Sequence, residues 1–171
     1  DVYKRQTLRG LAPDARIVWV GARLGATLAV LAARNGRCDP ARLVLWEPVI
    51  DGPRYGSMLR ERHVEAVDTT FCIPDLGWRR GYLRDAQAVP EEALGVSLSA
   101  QLRAQLSALV PASLPLTALH DTLVLARPDE AHTAQWAAEQ QSRHMPVRLA
   151  YFQHRLDWTA DPYPNLSLIH I

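Results

Sequence analysis

The chain has 171 residues, 48% of them hydrophobic, with 19 basic and 18 acidic side chains and a formal net charge of +1. That length supports a domain with a real core, and the near-neutral balance argues against binding nucleic acid or a membrane surface through bulk charge. No apolar run reaches the roughly 20 residues of a membrane span.

The first six residues, DVYKRQ, and the last six, LSLIHI, stand apart from the rest. One DNA reading of the first, GATGTGTATAAGAGACAG, is the reverse complement of one reading of the second, and it looks like a transposase end used in sequencing-library preparation. Lys4 is the only lysine, and two of the five isoleucines fall in the last three residues. Residues 1–6 and 166–171 are therefore expected to be non-native scars. The native part, Thr7–Asn165, is expected to be an internal fragment of a bacterial-looking, metagenomic sequence. Setting the scars aside removes Asp1, Lys4 and Arg5 and leaves 17 basic and 17 acidic residues.

Ile17–Val20 is a short apolar run ending at Gly21, as expected of a buried parallel strand. Leu24–Ala33 follows as a helix, apolar on nearly all sides and so expected to be buried, and Asn35-Gly36 ends it. Between the two lies Gly21-Ala22-Arg23-Leu24-Gly25, whose small residues fit a sharp strand-to-helix elbow with Arg23 at its apex. Cys38 comes next and, with Cys72, is unpatterned: no CxxC and no Cys/His cluster is present. No metal and no cofactor are expected. Arg42–Trp46 is a second buried strand, stopped by Glu47-Pro48. Strand, helix and strand within some 30 residues make a βαβ unit and a parallel sheet.

From Gly52-Pro53 the pattern changes. Tyr55–Ala66 reads as a helix, Thr69–Leu76 as irregular, and Glu91–Leu94 and Leu98–Leu109 as short helices. The block 51–115 is expected to be a mostly helical, cap-like insertion. Alternation then resumes. Thr122–Ala126 is a strand, Arg127–Glu130 a loop, Glu130–Arg143 a helix and Val147–Phe152 a last strand. His154 lies in the loop beyond it. Ser57, Ser97 and Ser99 have no elbow around them, Thr27 reads as a core residue of the first helix, and no histidines show the HExxH spacing.

This order of elements, the elbow and the phrase Leu45-Trp46-Glu47-Pro48-Val49-Ile50-Asp51-Gly52 resemble the C-terminal half of an α/β-hydrolase-fold protein. The likeness is to the serine aminopeptidase type and the exosortase-associated hydrolases. It covers nearly all of Thr7–Asn165. It implies an α/β fold with a partial doubly wound parallel sheet, a core over 7–50 and 116–165, and an N-terminal half of the domain lying outside this chain. That absence leaves Arg16–Val20 as a raw apolar edge. The resemblance also implies an acid at Asp129, with Glu130 as its competitor, and the histidine at His154. Two positions depart from the family pattern. The nucleophile position holds Arg23, and His154 follows its strand without a Gly-rich approach.

An elbow normally carries Ser, Cys or Asp, since these can attack a carbon centre. A guanidinium stays protonated and only donates hydrogen bonds. Arg23, above the helix N-terminus at Leu24, could bind a carboxylate or phosphate group, with Leu24 and Glu47 as further candidate binding residues. It could instead pair with Asp129, Glu130 or Glu47 and only hold the loops. Asp129 and His154 could form an acid–base pair that activates water, or be a helix N-cap and a plain loop histidine. The expected function is thus an α/β-hydrolase-like protein without the usual nucleophile, binding an acidic or acyl small molecule. Two alternatives stand beside it: an active hydrolase or acyl-transfer enzyme using water or an unrecognised nucleophile, and a Rossmann-type dinucleotide domain. For the latter, Gly21, Gly25 and Glu47 imitate the fingerprint, but Arg23 and Ala26 stand where it needs glycine. Neither a nucleic-acid partner nor a membrane span is expected, and unpaired thiols make the cytoplasm the default compartment.

Overall fold

Two short, largely apolar segments bury every second side chain. In the computed structural model, which describes residues 6–7, 10–35, 40–71, 90–117 and 120–153, both are strands. They are β2 (Arg42–Trp46) and β5 (Asp121–Ala126), which pair in parallel with Leu43 beside Thr122 and Leu45 beside Val124. All four of these residues are buried to within 2% of their surface. β1 (Val18–Ala22) lies on one side of β2, and β6 (Val147–Tyr151) lies on the far side of β5. The sheet therefore runs β1-β2-β5-β6, all parallel. A fully buried leucine contributes about 2 kcal/mol by leaving water, so Leu43 and Leu45 are a main anchor of this sheet.

The chain divides into two compact units. One combines Asp1–Val49 with Leu114–Gln153, and the other is built on Ile50–Ser113. In the first, helix α1 (Leu24–Arg34) packs on β1 and β2, and helix α4 (Ala131–Ser142) packs on β5 and β6. Each buries one stripe: Ala26, Thr27, Val30 and Ala33 in α1, and Thr133, Trp136, Ala137 and Gln140 in α4. The polar members of the α4 stripe are satisfied. Trp136 Nε1 donates to the Leu114 carbonyl at 3.2 Å, and Gln140 Oε1 accepts the Leu116 N–H at 3.0 Å. α1 is not buried all round as its composition suggests: Leu28 is exposed. Gly36, expected to cap it, lies outside the described residues.

The second unit holds helix α2 (Gly52–Phe71), the hairpin strands β3 (Glu92–Ala93) and β4 (Val96–Ser97), and helix α3 (Ala100–Ser107). α2 starts earlier and ends later than its periodicity suggests. Asp51 Oδ1 accepts the Arg54 N–H at 2.9 Å and so caps the helix start. Pro53 follows in the first turn, where a missing N–H costs nothing. Residues 69–71, expected to be irregular, still belong to the helix. Glu91–Leu94 is not helical. Leu94 and Gly95 have φ of 53° and 77° and turn β3 back onto β4. The Leu94 N–H then donates to His63 Nδ1 at 3.0 Å, tying the hairpin to α2. α3 begins after Ser99, whose hydroxyl accepts the Leu102 N–H at 3.2 Å.

Candidate functional site

The site grows from the junction of β1 and α1. The Arg23 N–H donates to the Trp46 carbonyl at 2.9 Å, extending the ladder by one residue. The backbone then turns at φ 51°, ψ −126°, a region an L-residue rarely occupies. Tertiary contacts hold it there. The Arg23 carbonyl accepts the Ala26 N–H at 3.0 Å and the Thr27 and Val49 N–H groups at 3.4 Å. Thr27, buried in α1, donates its hydroxyl to the Val49 carbonyl. It is therefore a brace between the elbow and the loop after β2. Gly21 is required by close approach: a Cβ there would sit 2.6 Å from Ala26 Cα. Gly25 faces open space, so the two elbow glycines are not equivalent.

The register of the sheet brings three charges into line. Ala22, Trp46 and Leu125 stand side by side, so the chain leaves the strands at one carboxyl edge. Arg23 follows β1, Glu47 follows β2 and Arg127 follows β5. Glu47 also has a positive φ, 44°, while its N–H donates to the Leu125 carbonyl at 2.8 Å. Its carboxylate is only 3% exposed and is shared between two guanidiniums. Arg23 Nη1 lies 3.5 Å from Oε2, and Arg127 Nε lies 3.3 Å from Oε1. The Arg23 and Arg127 side chains are 20% and 37% exposed, more open than the acid between them, although the Nε of each is buried. Arg127 also meets Glu130 at 3.1 Å and Asp129 at 3.6 Å. Burial works against its charge, but the hydrogen bond to Glu130 and the fields of Glu47, Asp129 and Glu130 outweigh that, and its pKa lies above the ordinary arginine value. Arg127 thus stays charged at every physiological pH, and the stability it contributes is lost only as pH rises through that raised value.

Of the residues singled out in the sequence, Arg23 and Glu47 meet, and Leu24 opens α1 as a half-buried residue. Asp129 is 75% exposed and turned to Arg127. It is not the helix cap: Glu130 occupies that position, without a side-chain cap bond. His154 lies outside the described residues. Arg127 is not singled out in the sequence; the one signal it carries is that, like Arg23 and Glu47, it directly follows a predicted strand of the parallel sheet. At the same edge the rings of Trp46 and Phe152 meet edge to face, centroids 5.9 Å apart. Among the described residues, no group of three His, Cys, Asp or Glu side chains is placed to hold a metal ion. No described helix is long and apolar enough to cross a membrane.

No protein-family model matches the chain, and no curated protein sequence matches it. Among solved structures it is similar to an alpha/beta hydrolase family protein from Desulfitobacterium hafniense, at 18% identity and a TM-score of 0.51. The match covers 96% of this chain and 71% of that one. It is also similar to alpha/beta hydrolases from Novosphingobium aromaticivorans and Sphaerobacter thermophilus. These are 17% and 19% identical, with TM-scores of 0.40 and 0.36; the matches cover 97% and 95% of this chain and 68% of each of theirs. The first likeness is one of fold: the parallel sheet with its helices is a partial α/β-hydrolase-type fold. A Rossmann sheet would place its fourth strand on the other side of its first. Here each successive strand of the parallel sheet adds in one direction, and no switch point lies among the described strands.

Proposed function

We propose that this chain is a hydrolase-like protein without serine-hydrolase chemistry, with Arg23 at the nucleophile position of its elbow. The observation that carries the reading is the backbone at Arg23. An L-residue at φ 51°, ψ −126°, between a strand and a helix that approach too closely for a Cβ at residue 21, has the geometry of an elbow that presents a side chain. The side chain presented has no lone pair to attack with. Its charge is already faced by Glu47. The reading therefore favours a small acyl compound as ligand over an acidic one, with Trp46 and Phe152 supplying apolar surface at the same edge. Asp129 and His154 are assigned to the acid and histidine positions, and 51–115 to a cap-like insertion, by family resemblance.

The test is an activity-based one. The unmodified protein is expected to hydrolyse p-nitrophenyl butyrate no faster than buffer and to take up no fluorophosphonate label. Short acyl amides are expected to raise its melting temperature without being consumed. Ester turnover with a covalent serine adduct would overturn the reading. Turnover without an adduct would favour a water-activating enzyme.

A further inference from the structure

At the carboxyl edge, one buried acid lies between two arginines that come from different strand ends. The carboxylate of Glu47 uses one oxygen for Arg23 and the other for Arg127. This is how a two-arginine receptor holds a free carboxylate. Here the guest is covalently part of the host. Its backbone carries a positive φ of 44°, and its side chain is 3% exposed while both arginine side chains are partly open. A tethered anion competes at a high effective concentration, so a dissolved one does not displace it.

We infer that Glu47 determines ligand specificity at this edge. Its carboxylate fills a carboxylate-binding site between Arg23 and Arg127 and thereby excludes anionic ligands. This inference rests on the reading of Arg23 as an elbow residue facing a ligand, and it deepens that reading by naming the class that is kept out. It follows that removing the carboxylate creates a receptor for small monocarboxylates such as formate and acetate. The amino edge of the same sheet supplies the control. There Asp121 lies between Arg42 and Arg148, with Asp121 37% exposed and the arginines 47% and 61% exposed. This trio has the same arrangement of one acid and two arginines, without the further contacts of Arg127 to Glu130 and Asp129, and it lies in water, where screening leaves little for an added anion to gain.

The experiment is a thermal melt of the full chain and of Glu47→Ala, Asp121→Ala and Glu47→Ala/Arg127→Ala, with sodium acetate titrated against sodium chloride at constant ionic strength. Acetate at about ten times its dissociation constant is expected to raise the melting temperature of Glu47→Ala by about 4 °C. The unmodified chain, Asp121→Ala and the double variant are expected to shift by less than about 1 °C. If Glu47→Ala is unfolded in chloride, acetate is expected to restore its cooperative melt. The inference is overturned if Glu47→Ala responds to acetate no more than the unmodified chain, if the double variant responds equally, or if an unfolded Glu47→Ala is not restored. The outcome is separable from the test of the elbow. A protein that hydrolyses esters and still shows acetate rescue in Glu47→Ala refutes only the missing nucleophile. One that is inert and shows no rescue refutes only the role given to Glu47.

Discussion

At each edge of the parallel sheet one acid lies between two arginines, in different surroundings, and at the carboxyl edge Arg127 also meets Asp129 and Glu130. Arg23, Glu47 and Arg127 follow the carboxyl ends of the strands, whereas Arg42, Asp121 and Arg148 lie at or near their amino ends. In each trio one acid serves two arginines. At the amino edge the acid is 37% exposed, and Arg42 Nε donates to it at 2.8 Å. At the carboxyl edge the acid is 3% exposed and the distances are 3.3 and 3.5 Å, close to the 3.4 Å between Arg148 and Asp121. The shortest contact is not the most consequential one. A solvated pair is replaced by water at little cost when one partner is lost, whereas removing a buried acid leaves its partners short of a counter-charge that water does not readily replace.

The largest expected effect sharpens that contrast. Glu47→Ala should lose about 3 kcal/mol of unfolding free energy in urea denaturation, because two partly buried guanidiniums lose their shared counter-ion. Gly21→Ala comes next, at about 2 kcal/mol, since the new Cβ meets the backbone of α1 and not a flexible side chain. A wild-type-like midpoint for that variant would mean that α1 does not hold Arg23 against β1 as described. Asp121→Ala should cost less than about 1 kcal/mol, and 1 M sodium chloride should erase most of that loss. If Asp121→Ala proves as damaging as Glu47→Ala, burial is not what separates the two edges. The smallest change is a gain. Gly25→Ala points into open space on a helix and should stabilise the protein by about 0.5 kcal/mol, read as a raised melting midpoint.

Much of the parallel sheet is legible in the sequence because its strands are short, apolar and closed by strong stops. Arg42–Trp46 ends at Glu47-Pro48, and Thr122–Ala126 ends at Arg127-Pro128; both endings agree with the observed strands. The pairing of Arg23 with Glu47 is one of the three acid partners the sequence leaves open, and only the register between β1 and β2 chooses it. The hairpin is not legible in the same way. Strands of two residues are too short to show a period, and Leu94-Gly95 has a bulky residue at a turn position that favours Asn, Asp or Gly. The start of α2 is masked by Gly52-Pro53, which reads as a break until Asp51 is recognised as the cap. Arg127 escapes because a loop arginine has no motif of its own; its importance comes from where β5 ends.

The pairing of β2 with β5 joins Arg42 to Asp121, 79 residues apart in the chain. The pairings on either side, β1 with β2 and β5 with β6, span single βαβ connections. Loop closure grows only with the logarithm of length, about 0.6 kcal/mol for each doubling, so the intervening segment weakens the finished molecule little. Its effect falls on the kinetics. Two local halves are expected to form early, and their joining should limit the folding rate, as expected for a topology with one long-range seam. Mutations at that seam, such as Leu45→Ala, should therefore slow refolding as well as hasten unfolding.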